Sequence, residues 1–225
     1  MIRSKQQSSI DLARGGLSTI LFALLSFAAM FIFRILASRA LGSELYGTYV
    51  LAETILSLVG IIATVGLTEA IVRFVPHYLE TKENELLKGY VLFVGWLLLF
   101  TTTSLSLAFI FFSDFFIQFF GLGSELSFVF KAIALLLPLR IAKQFLGKML
   151  VSQKKVFTNE LTNFVEKAVL LIGTAILLLF DLTLPLIFGL LFVGIVLSTT
   201  LKLLYTSNFL NKLFKSSDKK YARKT

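Results

Sequence analysis

Charged residues stand where the sequence otherwise calls for hydrocarbon: Arg34, Arg39, Glu53, Arg140, Lys143 and Glu166 fall within or at the edges of long apolar runs. A charge at bilayer depth costs roughly 2.5–3.5 kcal/mol, so each needs a partner or a task. Arg140 lies near the middle of its run, and Lys143, Gln144 and Gly147 share its helical face. Arginine matches phosphate through a planar fork of donors, so this face could form a cationic cavity wall for a phosphorylated ligand. Glu166 lies on the next run at a comparable distance from the connection, and an Arg140–Glu166 contact is expected. Glu53 heads a stripe with Ser57, Gly60, Thr64 and Thr68, which fall on one face at about 100° per residue. Such a stripe either packs against another helix with interhelical hydrogen bonds or lines a solvated cavity. Arg34 and Arg39, near the outer end of the first run, either snorkel or contact an anion at the outer mouth. Lys131 and Lys202 read as snorkellers near helix ends, and Glu69 with Arg73 as an i,i+4 pair. His77 follows Pro76 in a solvated connection.

Several chemistries are excluded by residue type. There is no cysteine, hence no disulfide, thiolate site or cysteine nucleophile. Neither a phosphate-cradling glycine loop nor a zinc-binding His-Glu-x-x-His helix occurs. The aspartates Asp11, Asp114, Asp181 and Asp218 lie far apart at helix ends or in tails, unlike a metal-dependent phosphotransferase motif. No catalytic residue, cofactor or metal is therefore predicted, and the chain reads as a non-enzyme. Its net charge of +9 reflects basic loops against anionic lipid, not a nucleic-acid partner.

The elements that carry these residues follow from their apolar surroundings. The chain is 56% hydrophobic and only 16% charged, with the charges clustered. Crossing a bilayer takes roughly 20 apolar residues in a helix, and the alternation of barrel strands is absent. Six spans are expected: 16–38, 45–73, 89–112, 127–150, 159–180 and 183–205. The first is too long for a cleaved leader and reads as retained. Pro76 ends the second, Gly121 and Gly123 mark the turn before the fourth, and Asp181 with Thr183 the turn before the sixth. Basic residues concentrate in alternate connections: Arg3, Lys5 and Arg14, then Lys82 and Lys88, then Lys154 and Lys155, then Lys212 to Lys224. The positive-inside rule places both termini in the cytoplasm. The expectation is an all-α, multi-pass plasma-membrane protein: a cytoplasmic segment (1–14), a six-helix transmembrane lobe (15–206) and a basic cytoplasmic tail (207–225).

Three stretches carry a family resemblance: "IDLARGGLSTI" from Ile10, "ILASRALGSELYGTYVLAETI" from Ile35, and "VGLTEAIVRFVPHY" from Val65. Within them stand Arg39-x-Leu41-Gly42, Tyr46-Gly47, Gly66-Leu67 and Arg73-Phe74. In order and spacing the chain resembles the N-terminal half of polysaccharide-biosynthesis (O-antigen type) flippases of the MOP superfamily. The resemblance implies one six-helix lobe of a two-lobe transporter, with a cationic cavity that moves a polyprenyl-linked oligosaccharide. A second lobe or a second copy of the chain would complete it. Two other readings stay open: a cation-coupled drug or metabolite exporter with Glu53 as coupling carboxylate, and a non-transporting membrane assembly subunit.

Overall fold

Long apolar runs without proline or glycine clusters favour uninterrupted helices, and the computed structural model is built from them. It describes residues 2–113, 115, 126–180 and 182–221. The helices are α1 (Ile2–Thr64), α2 (Leu67–Glu80), α3 (Asn84–Phe111), α4 (Leu126–Ser152), α5 (Val156–Leu177) and α6 (Leu184–Tyr221). Every element among the described residues is a helix. The turns expected at Gly121 and Gly123 and the residues Asp114 and Asp181 lie outside the described residues.

Helix α1 is two arms joined at Gly42, whose φ of 74° and ψ of 175° suit glycine alone. The arms fold back on one another, bringing the Phe33 and Tyr49 rings to 5.9 Å. A second break comes at Val65 (φ 45°) and Gly66 (φ 73°), where both residues adopt left-handed backbone. This corrects the expected second span, 45–73, which is interrupted at Gly66. Pro76 does not end it but sits inside α2, and His77 is helical, not in a loop. One proline inside a helix removes a single backbone donor. The chain turns only past Glu80, where the Thr81 N–H donates to the His77 carbonyl and Lys82 takes a φ of 57°.

Between α4 and α5 the connection that carries Lys154 and Lys155 is a tight one. Lys154 is left-handed (φ 61°) and the Lys155 N–H donates to the Leu150 carbonyl at 2.9 Å. The two helices are therefore antiparallel neighbours. Helices α1 and α6 extend beyond the expected spans, into the segments read as terminal (1–14 and 207–225).

One apolar core joins the elements: Phe33 and Leu56 of α1, Val75 of α2, Val94 of α3, Leu137 of α4, Leu170 of α5 and Ile195 of α6. The first arm of α1 packs on α5 through Phe22, whose ring meets Phe157 at 5.5 Å and Phe164 at 5.6 Å. Helix α4 is central, touching α1, α2, α3, α5 and α6. Much of the outer surface is apolar, including Phe27, Phe31, Ile61, Trp96, Phe100 and Leu179. So much exposed apolar surface suits lipid, not water. Among the described residues, Gly16–Thr64, Asn84–Phe111 and Leu184–Asn211 are long and apolar enough to cross a membrane. Helices α4 and α5 carry instead the interior charges that form the site.

Candidate functional site

One face of α4 organises the polar interior. Arg140, Lys143, Gln144, Gly147 and Lys148 recur at three- and four-residue steps and so project to one side. What faces them is the predicted stripe. Arg140 donates through Nη1 to Glu53 Oε2 at 3.3 Å and Oε1 at 3.4 Å, and through Nη2 to Ser57 Oγ at 3.3 Å. Gly60, on the same face, lies against Ile141 of α4, where a Cβ would make ordinary contact with Ile141 Cδ1 at 3.6 Å. Beyond the break, Gln144 Nε2 donates to Thr68 Oγ1 at 3.3 Å, and Lys148 Nζ lies 2.7 Å from the Glu69 carboxylate. The stripe thus continues onto α2 with its face still toward α4.

The other flank of α4 meets α5. Lys143 Nζ donates to Glu166 Oε2 at 2.6 Å, and Lys167 Nζ to Oε1 at 3.0 Å. Glu166 is only 3% exposed. Gly194 of α6 makes room for it, since a Cβ there would lie 3.3 Å from Glu166 Cγ. One buried carboxylate is therefore clamped by two ammonium groups.

These pairings correct two expectations. Arg140 does not contact Glu166; it takes Glu53, and Lys143 takes Glu166. Three residues along α4 turn the side chain by about 60°, enough to point Arg140 at α1 and Lys143 at α5. The antiparallel register agrees: Lys143 stands ten residues before Gln153 and Glu166 eleven after Lys155. Glu69 is likewise bridged by Lys148, while the Arg73 guanidinium lies over the Phe74 ring at 5.8 Å.

Two cavities flank the Arg140–Glu53 pair. One, of about 430 Å³, is lined by Arg140, Lys143, Gln144, Gly147, Lys148, Lys202 and the α5 residues Asn159, Glu160 and Asn163. The other, of about 520 Å³, is lined by Arg34, Tyr46, Tyr49, Glu53, Thr54 and Ser57. Arg140 belongs to the first wall and its partners Glu53 and Ser57 to the second, so the ion pair stands where the two meet. It is half-buried, with side chains 30% and 24% exposed. Arg34 thus joins the site through the second cavity, whereas Arg39 lies exposed on α1 and lines neither cavity.

Lys202 was read from the sequence as a snorkeller, and the structure overturns this. It is 2% exposed, and its Nζ donates to Asn159 Oδ1 at 2.6 Å and Asn163 Oδ1 at 2.9 Å. The trace of this in the sequence is a stripe on α6 at four-residue steps, Gly194, Ser198, Lys202 and Thr206, all of them buried. Lys131, by contrast, is exposed beside an apolar groove formed by Phe128, Phe188 and Phe192, as a snorkelling lysine would be.

Among the described residues no three histidine, cysteine or acidic side chains gather where they could hold a metal ion. The arrangement offers instead several cationic donors around water-accessible space inside an apolar helical bundle. Residues 12–225 match the model of the family described as "Polysaccharide biosynthesis protein". No curated protein and no solved structure matches the chain.

Proposed function

Because the chain belongs to the polysaccharide biosynthesis protein family, a family of flippase type, we propose that it moves a lipid-linked oligosaccharide across the cell membrane. It would act as one six-span lobe of a larger transporter. The Gly42 fold-back turns α1 into two passes, and α3, α4, α5 and α6 supply the others. Both termini are then cytoplasmic, beside the basic connections at Lys82 and Lys154–Lys155. A second lobe, or a second copy of this chain, would close the cavities from the open side.

The observation that carries this reading is the Arg140–Glu53 pair between two cavities, each with charged residues in its lining. A phosphorylated head group cannot enter hydrocarbon without compensating charge. Separation of the pair would join the cavities and release a guanidinium fork suited to a phosphate. Its closure would return the carboxylate to the arginine and shut the path. No bond is made or broken, so no catalytic residue is needed.

Complementation of surface-glycan export tests the reading. Arg140→Gln and Glu53→Gln, at membrane levels equal to the parent chain, are expected to reduce export at least about tenfold, the loss of one charge-assisted contact. Export at parental rates in both variants would remove the pair from the path. Drug sensitivity without a glycan defect would favour the exporter reading.

A further inference from the structure

The cations lining the 430 Å³ cavity are not equivalent. Arg140 is matched by Glu53, Lys143 by Glu166 and Lys148 by Glu69. Lys202 has no carboxylate within ion-pairing distance among the described residues; both its hydrogen-bond partners are neutral carboxamide oxygens. The carboxamides are held in that orientation from behind, because Asn159 Nδ2 donates to Glu160 Oε1 at 3.0 Å and Asn163 Nδ2 to the same oxygen at 3.5 Å. Glu160 thus steadies the amine from a distance without neutralising it.

Lys202 reaches the wall of the cavity by packing against Gly147 of α4, where a Cβ would sit 3.0 Å from Lys202 Nζ and 2.7 Å from Asn159 Oδ1. An ammonium has three donors, and two are taken by the carboxamides. A buried charge without a counter-charge is costly, and an anion entering the cavity could take the third donor. Lys143, on the same cavity wall, adds a second positive charge.

We propose that Lys202, set by Asn159, Asn163 and the close approach of Gly147 at the wall of the cavity, is an oxyanion-binding subsite that receives a phosphoryl group there. The inference rests on the transport reading and adds to it a contact on α6, where the sequence pointed only to α1, α4 and α5. Its ligand chemistry is a phosphate oxygen, from either a free phosphate or a prenyl-linked head group. Lys202 here positions the anion; Asn159, Asn163 and Gly147 position Lys202.

Titration calorimetry on the detergent-solubilised full chain tests it, with inorganic pyrophosphate and farnesyl pyrophosphate as the two probes. Lys202→Met is expected to weaken both at least about tenfold. Gly147→Ala, which keeps the lysine but crowds its ammonium, is expected to weaken both as well; alanine favours the helix, and a thermal midpoint matching the parent's checks that the variant folds. Tighter binding of the farnesyl form by the parent chain would assign the anion to a lipid head group, and tighter binding of the inorganic form to a free phosphate. If both variants bind as the parent does, the lysine only ties α6 to α5 and the subsite is overturned. A parent chain that binds neither probe would overturn the transport reading along with it.

Discussion

Glu166 is tightly constrained: both of its oxygens are taken by lysines, at 2.6 and 3.0 Å, in a site almost closed to solvent. Removing one partner of a buried charge cluster leaves the others uncompensated, a loss of about 3–5 kcal/mol. Glu166→Gln should therefore destabilise the chain by about 3 kcal/mol in denaturant titration from mixed micelles. The paired change Lys143→Met with Glu166→Leu removes the most buried pair and leaves only the more exposed Lys167 unmatched, so it should recover part of that loss. An unaltered midpoint in Glu166→Gln would mean that the cluster contributes nothing to stability. Such pairings were only half legible in the sequence. That Arg140, Lys143, Glu53 and Glu166 needed partners followed from their apolar setting. Which partner each would take depended on the side of α4 to which each turns and on where α1 and α5 lie around it, and neither is encoded in local periodicity. Lys202 was hidden for the opposite reason: a lysine three residues from the end of an expected span looks solvated until a neighbouring helix covers it.

Backbone breaks set the register of these contacts. Gly42 turns one long hydrophobic helix into two packed arms, and Gly66 lets α2 restart with Thr68 and Glu69 still facing α4. Alanine is strained in either conformation, so Gly42→Ala and Gly66→Ala should each cost about 1–3 kcal/mol. Gly95→Ala provides the contrast, because Gly95 lies inside α3 with ordinary helical backbone and open space around its Cα. There alanine should be neutral or stabilising by up to about 1 kcal/mol. Thermal unfolding in detergent of the three variants side by side reads the difference; equal midpoints would mean that neither break is required. Both glycines lie within the stretches that carry the family resemblance, yet their neighbours conceal the breaks. Val65 is β-branched and strongly disfavours positive φ, while Pro76 looks like the better stop. Pro76 withholds a donor from the Val72 carbonyl, yet α2 continues past it to Glu80.

At the scale of the whole chain, the charges that build the site also obscure its path through the bilayer. Helices α1, α3 and α6 carry segments whose length and apolarity suffice for crossing, whereas α4 and α5 pay for Arg140, Lys143 and Glu166 in hydropathy. The antiparallel α4–α5 turn and the packing of both on α6 put them in the same bundle as the apolar helices. If all cross, with α1 crossing twice, the connection at Lys154 lies inside and the start of α6 near Thr183 lies outside. The absence of native cysteine makes this directly measurable, since a single introduced thiol is the only one to react. In intact cells, a membrane-impermeant maleimide should label Thr183→Cys at once and Lys154→Cys only after permeabilisation. Labelling of both from the same side would leave α5 unable to span, and Glu166 would then have no reason to be buried with two lysines. The same chain should give an unreactive thiol at Ser198→Cys, which faces the Thr162 carbonyl between α5 and α6 rather than lipid or water. Together the three positions separate a spanning bundle from one lying along the surface, because only the spanning arrangement places opposite ends of α5 in opposite compartments while its seam with α6 stays closed to both.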